Sequence, residues 1–251
     1  MTEALLELAT ASQPLALPGV LLGGRPRAWA KAFRRTSSRA RWGNLRRTSP
    51  FSSCWGFDRG TPVDRIYIER FLAAHAGDVR GRVLEVRDSR YTTAFGRDQV
   101  TQAEVVDIDS ANPRATIVAD LGAPGSLPAE AFECVVVVQT LQYVARPRTA
   151  VENLRRGLTP AGIALITVPC TSRIDPDAPA ADRWRFTPSG LEALLRSAGD
   201  WAELDVSGYG NLITSVAFLM GIAAEELRRP ELGERDATFP LVACARARKP
   251  A

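Results

Sequence analysis

Four short stretches of this chain each place an acid or an amide at the end of an apolar run, and their order along the sequence suggests where chemistry would gather. Residues 83–86 contain Glu85, residues 103–108 carry Asp107 with Asp109 just beyond, residues 115–118 lead into Ala119, Asp120 and Leu121, and residues 134–138 lead into Gln139 and Gln142. If these runs are neighbouring parallel strands, their carboxyl ends open into one crevice, which makes these side chains better ligand candidates than acids elsewhere. An acid after the second strand can accept hydrogen bonds from both hydroxyls of a ribose, and one after the third can accept from an adenine amino group. Together they point to an adenosyl ligand. The loop after the first strand is anomalous. It reads Arg87, Asp88, Ser89, Arg90, Tyr91, without the glycines that let a backbone approach a ligand unobstructed by a Cβ.

Proton transfer has few other candidates. Gln139 and Gln142 can orient a hydroxyl but cannot take its proton near neutrality. Asp58 or Asp64 would be the base if one exists, with Tyr67 as a positioning group; the alternative role for Asp64 is a charge that favours the start of a helix. Arg59 and Arg65 flank the same loop and either hold an anionic group or pair with Asp58 and Glu69. The single histidine, His75, lies at the edge of the sheet opposite the crevice and reads as a capping or packing residue, which leaves no Ser-His-Asp triad. Cys54, Cys134, Cys170 and Cys244 form no C-x-x-C pair, and Asp175, Asp177 and Asp182 lack the spacing of a calcium loop, so no metal is expected.

The elements that must position these groups alternate short apolar runs with helical patterns, the signature of βαβ units. Strands are predicted at 83–86, 103–108, 115–118, 134–138, 163–168, 201–206 and 241–245, with helices at 63–76, 148–156, 188–198 and 212–227. The fold class is α/β: a Rossmann-like, seven-stranded, mostly parallel sheet with helices on both faces. Thr61 is the expected N-cap of the first helix, Pro62 its first turn and Gly77 its stop. Residues 9–57 contain no acid while cations accumulate, so residues 1–57 are read as a basic, partly helical N-terminal extension and residues 58–251 as the domain. Trp29 and Trp42 argue that the extension docks on the body. The net charge is +4 over 251 residues, and nearly all cations are arginine, a bias that suggests a GC-rich bacterial genome and weakens a nucleic-acid reading. No apolar run approaches the roughly 18 residues of a membrane span, so a cytoplasmic protein is the default.

The order and spacing of these pieces resemble the class I S-adenosylmethionine-dependent methyltransferases over residues 59–248. The matching stretches are VLEV, EVVDID, ATIVADL, FECVVVVQTLQYV and GLTPAGIALITVP. More narrowly, DRGTPVDRIYIERFL, YTTAFG, VQTLQ and WRFTPSGLEALL resemble a bacterial subgroup encoded with glycosyltransferases and natural-product genes. The resemblance implies that Asp107 takes the ribose, with Asp109 as its rival, that Asp120 and Leu121 take the adenine, that Gln139 lies beside the sulfonium, and that Glu85 orients the methionine amino group. It also implies S-adenosylmethionine as cofactor and an O-methylated small molecule, a sugar or secondary metabolite, as acceptor, anionic or glycosylated; a homodimer is compatible with it.

The departure is as specific as the match. The family's first motif reads E-x-G-x-G-x-G, and here its glycine places hold Arg87, Ser89 and Tyr91. In one reading Arg87 or Arg90 pairs with the cofactor's carboxylate. In the other the loop fills the pocket, and the domain is a repurposed member of the fold that acts as a binding partner or catalyses a reaction without methyl transfer. An NAD enzyme ranks lower because no G-x-G-x-x-G turn is present, and an RNA methyltransferase lacks a recognisable RNA-binding module. Trp184, Phe186 and Tyr209 are expected in loops that roof the substrate region.

Overall fold

Both faces of the central strands are dry, and the sequence shows why. In the strand Phe132–Val138, Val135 and Val137 enter one hydrophobic cluster while Cys134 and Val136 enter the other. The side-chain period of two thus demands cover on both sides of the sheet. The structure, a computed structural model, describes residues 43–251; the expectations for Trp29, Trp42 and the arm before residue 43 lie outside the described residues. Residues Thr48–Ala251 make one compact unit.

Seven strands follow in chain order: β1 (Gly81–Val86), β2 (Val100–Asp107), β3 (Ile117–Val118), β4 (Phe132–Val138), β5 (Leu158–Pro169), β6 (Glu203–Tyr209) and β7 (Val242–Arg248). Their spatial order is β3-β2-β1-β4-β5-β7-β6, with β1 to β5 parallel and β7 antiparallel to both β5 and β6. The helices are α1 (Val63–Ala74), α2 (Pro147–Gly157), α3 (Pro188–Ser197), α4 (Leu212–Met220) and the short α5 (Arg229–Gly233). On one face α2 and α3 set Ala150, Val151, Leu154, Leu191 and Leu195 against Leu84, Val135 and Ile166. On the other, α1 and α4 set Ile68, Phe71, Leu72 and Phe218 against Val83, Val136 and Leu165. Burial of such side chains contributes about 1.5–3 kcal/mol each.

Several boundaries differ from expectation for local reasons. Pro62, not Thr61, is the N-cap of α1; the Thr61 hydroxyl instead donates to Glu225 Oε1 at 2.6 Å. The helix ends at Ala74 with His75 as C-cap, and residues Ala76–Asp78 continue as a 3-10 turn through Gly77. α4 stops at Met220 instead of running to residue 227 because Gly221 turns left-handed at φ 67°; a Cβ there would meet the Ser52 carbonyl oxygen at 2.6 Å. The other end of α4 is closed by a capping box between Asn211 and Thr214. β1 and β2 are joined through a π turn (Thr92–Gly96) and a 3-10 turn (Arg97–Gln99), and no helix separates β2 from β3 or β3 from β4. No helix among the described residues is long and apolar enough to cross a membrane.

Candidate functional site

A cavity of about 540 Å³ opens over the carboxyl ends of β1, β2, β4 and β5, within the 300–1,000 Å³ range of small-molecule sites. Its floor includes Glu85 and Arg87 from the end of β1, Asp107 and Ile108 from β2, and Gln139 and Gln142 after β4. Asp64 and Arg65 reach it from the first turn of α1, and the loop before α1 contributes Trp55 and Phe57.

Glu85 is buried and turned to its own loop, accepting the backbone N–H groups of Tyr91 at 3.1 Å and Thr92 at 2.7 Å. Burial pushes its carboxyl up from the ordinary range, and those two donors oppose the shift. Arg87 adopts φ 73°, the left-handed conformation a glycine would supply at this place, and its N–H pairs with the Val106 carbonyl at 2.9 Å. The shape of the loop is therefore kept without its glycine. The Arg87 side chain is exposed at the lining and does not plug the hollow. Tyr91 is the residue that fills space: it is buried in the core, stacks on Phe95 with ring centroids 6.3 Å apart, and receives a hydrogen bond from Arg65 Nη1 at 3.2 Å. Arg90 lies over the same ring at 4.9 Å.

Of the acids expected to converge with Glu85, only Asp107 lines the cavity. Its Oδ2 accepts from Asn112 Nδ2 at 2.6 Å and its Oδ1 from the Asp109 N–H at 3.0 Å, leaving lone pairs for a ligand. Asp109 was expected on the same strand face, but β2 ends at Asp107, so the alternation stops; Asp109 is exposed and its Oδ1 caps the Ala111 N–H at 2.8 Å. Asp120 is likewise exposed and bonded to the Gly122 N–H at 2.7 Å, while Leu121 is buried in the core. Neither reaches the lining. Ile108, between the two acids, carries no signal in the sequence beyond that place; at 71% exposure it presents an apolar surface at the cavity lining.

Gln139, Gln142 and Asp64 all line the cavity. Gln139 sits at φ 47° with its N–H held by the Thr167 carbonyl at 2.9 Å, and Gln142 Nε2 donates to the Gln139 carbonyl at 2.9 Å. Gln139 Nε2, Gln142 Oε1 and Asp64 Oδ1 are buried without a hydrogen-bond partner among the described residues. Burial raises the Asp64 carboxyl above its usual range, against the pull of the neighbouring Arg65. Tyr67 does not line the cavity: it is 2% exposed and packs in the second core cluster with its ring 6.2 Å from Tyr209. Asp58 also lies outside the lining, bonded to the Ser52 hydroxyl. Arg59 pairs with Glu226 at 2.6 Å, a partner 167 residues away that sequence spacing does not reveal.

The expected aromatic roof is built from different residues. Trp184 donates from Nε1 to the Val144 carbonyl at 2.9 Å, Phe186 packs against the core and Tyr209 lies under Arg235; none of them lines the cavity. Trp55, Phe57, Tyr143 and Phe218 do. Asp175, Asp177 and Asp182 all reach the lining, but Asp182 is paired with Arg185 at 2.5 and 2.8 Å and Asp175 accepts from the Tyr143 hydroxyl at 2.8 Å. Arg185 holds the Asp182 carboxyl below the usual range, and burial pushes the Tyr143 phenol up. No group of three His, Cys, Asp or Glu residues among the described residues is arranged to hold a metal. Trp55, Arg87 and Gln139, all non-glycine residues with positive φ, line this one cavity, and backbone strain of this kind clusters where a site is held in a fixed shape.

Residues 70–166 match the family described as a methyltransferase domain. Two solved structures superpose with a TM-score of 0.50. One is the [4+2]-cyclase SpnF, 18% identical, over 81% of this chain and 87% of that one. The other is an S-adenosylmethionine-dependent methyltransferase from Mesorhizobium loti, 15% identical, over 77% of this chain and 100% of that one. No curated protein matches the chain by sequence. The described residues have the fold of the class I, S-adenosylmethionine-dependent methyltransferases.

The residues present fit that cofactor. Asp107 has acceptor capacity for a ribose, Ile108 offers an apolar face for a flat base, and Gln139 and Gln142, each with a buried polar atom that has no partner among the described residues, line the same cavity.

Proposed function

We propose that the protein transfers a methyl group from S-adenosylmethionine to an oxygen of a small molecule, a sugar or secondary metabolite, as a cytoplasmic enzyme of bacterial natural-product biosynthesis. The observation that carries the reading is the set of buried, unpartnered polar atoms on Asp64, Gln139 and Gln142 around a cavity that Asp107 bounds on its β2 side. Atoms in that state cost about 1–3 kcal/mol each when nothing satisfies them, so a ligand is the natural partner.

When bound, the cofactor supplies an electrophilic methyl on a positively charged sulfur. Asp107 would accept from the ribose hydroxyls, and Arg87, exposed at the lining with no ion pair among the described residues, would meet the cofactor's carboxylate. Gln139 and Gln142 hold the acceptor hydroxyl in line with the methyl, where alignment at about 3 Å supplies much of the acceleration. Asp64 Oδ1 would take the hydroxyl proton, while the oxygen would gain the methyl as its bond to sulfur breaks and S-adenosylhomocysteine leaves; the proton transfer suits a carboxyl whose basicity burial has raised.

A second reading rests on Arg87 and Tyr91 in the glycine places of the first loop: a domain of this fold that catalyses a reaction other than methylation, or acts as a binding partner. The structural likeness to a protein that is a [4+2]-cyclase is compatible with it. Thermal melts with S-adenosylmethionine, S-adenosylhomocysteine and NAD test the first step, because a ligand of the folded form alone raises the melting temperature. Stabilisation by the first two and not by NAD is the expected result, and no shift with either would sink the cofactor assignment. Turnover of the bound cofactor against a panel of hydroxylated acceptors then separates methyl transfer from the second reading.

A further inference from the structure

Arg173 follows β5, on the far side of the cavity from Asp107. The order β2-β1-β4-β5 puts three strand spacings, about 14 Å, between the two. An adenosine held at Asp107 would occupy the β2 side of the cavity and leave the β5 side open to an acceptor.

The Arg173 guanidinium lies 4.7 Å from the centroid of the Trp55 ring, and it donates from Nη1 to the Ser53 carbonyl and from Nε to the Ile174 carbonyl at 3.4 Å. Of its five N–H donors, two are thus used and three remain. It is half-buried and no carboxylate among the described residues pairs with it, whereas its neighbour Arg185 is matched by Asp182 and braces the Arg173 carbonyl at 2.7 Å. The cation is held in place from two sides without an ion pair among the described residues, while Asp175 and Asp177 share the lining. The lining it shares with Trp55 also carries Phe57 and Tyr143. Trp55 is held at φ 54°, a conformation a bulky residue adopts only when its surroundings enforce it.

We infer that Arg173 and Trp55 form the acceptor subsite and that the acceptor is a planar molecule bearing a carboxylate or phosphate. The guanidinium fork binds the anionic group, and the aromatic wall contacts the ring, so the acceptor hydroxyl is directed toward Gln142 and Asp64. This rests on the proposed methyl transfer for its chemistry but not for its binding.

The test is calorimetry or ligand-detected NMR on the protein with and without saturating S-adenosylhomocysteine, using 4-hydroxybenzoate and phenyl phosphate against 4-hydroxybenzamide and phenol. The anions are expected to bind about tenfold more tightly than their neutral counterparts, the size of one charge-assisted hydrogen bond. Arg173→Gln should erase that preference and leave S-adenosylhomocysteine affinity unchanged. Trp55→Gly suits the left-handed backbone, so it removes the ring without adding backbone strain, and it should weaken all four probes. Equal affinity for neutral and anionic probes, no binding of any probe, or a preference that survives in Arg173→Gln would overturn the inference. Anion preference in a protein that does not bind S-adenosylhomocysteine would uphold the subsite and refute the proposed function.

Discussion

Thr92 donates its backbone N–H to the Glu85 carboxylate at 2.7 Å, so the acid at the tip of β1 organises the loop that leaves it. With Tyr91 as the second donor, two of the roughly four lone-pair sites of the carboxylate are used inside the protein and two remain. The loop is held by this acid and by the packing of Tyr91, where glycines would have held it by backbone freedom alone.

Glu85→Gln keeps one acceptor oxygen and turns an amide N–H toward the other donor. A loss of about 1–3 kcal/mol in chemical denaturation is expected from the unsatisfied buried group. Weaker S-adenosylhomocysteine binding should accompany it, and a variant as stable as the parent would contradict the geometry.

Asp64 makes a pH-dependent contribution of definite sign. Burial raises its folded-state pKa above the unfolded value, so the native state binds the extra proton between the two values, and stability falls as pH rises through that window. Asp64→Asn removes the cost of ionising a buried group. Its melting temperature should exceed the parent's at pH 8 and match it near pH 4, while methyl transfer falls; an advantage independent of pH would contradict the assignment.

Arg87 and Tyr91 occupy equivalent glycine places and should respond oppositely. Arg87→Gly relieves a left-handed conformation that costs a side-chain-bearing residue about 1–2 kcal/mol, so melting temperature should rise while S-adenosylhomocysteine affinity falls. Tighter cofactor binding in that variant would show the arginine to be an obstruction. Tyr91→Gly empties a buried ring position and should cost about 3–5 kcal/mol.

Asp107 and Asp120 read alike in the sequence and differ in the structure. Asp107→Asn should weaken S-adenosylhomocysteine about tenfold or more by calorimetry, as expected for a lost charge-assisted hydrogen bond. Asp120→Asn, altering an exposed side chain that serves its own turn, should change affinity by less than about threefold. Equal losses would restore Asp120 to the site.

The architecture was legible in the sequence because it rests on local periodicity. Val135 and Val137 alternate with Cys134 and Val136 whatever surrounds them, and a strand dry on both faces requires helices on both. The strand-end position of Glu85, Asp107 and Gln139 follows from the same pattern. Which of those ends share a cavity did not, because side-chain direction past the last strand residue is set by turn geometry: Asp109 falls beyond β2 and turns to Ala111, and Asp120 turns to Gly122. The pairing of Arg59 with Glu226 and of Arg173 with Trp55 joins segments more than a hundred residues apart. Such contacts exist only once the packed sheet has brought those loops together, and no local propensity encodes them. The sequence by itself determined the sheet, its covering helices and the acids at its edge; tertiary structure alone decided which of those acids line the cavity, since that depends on how separate loops close over it.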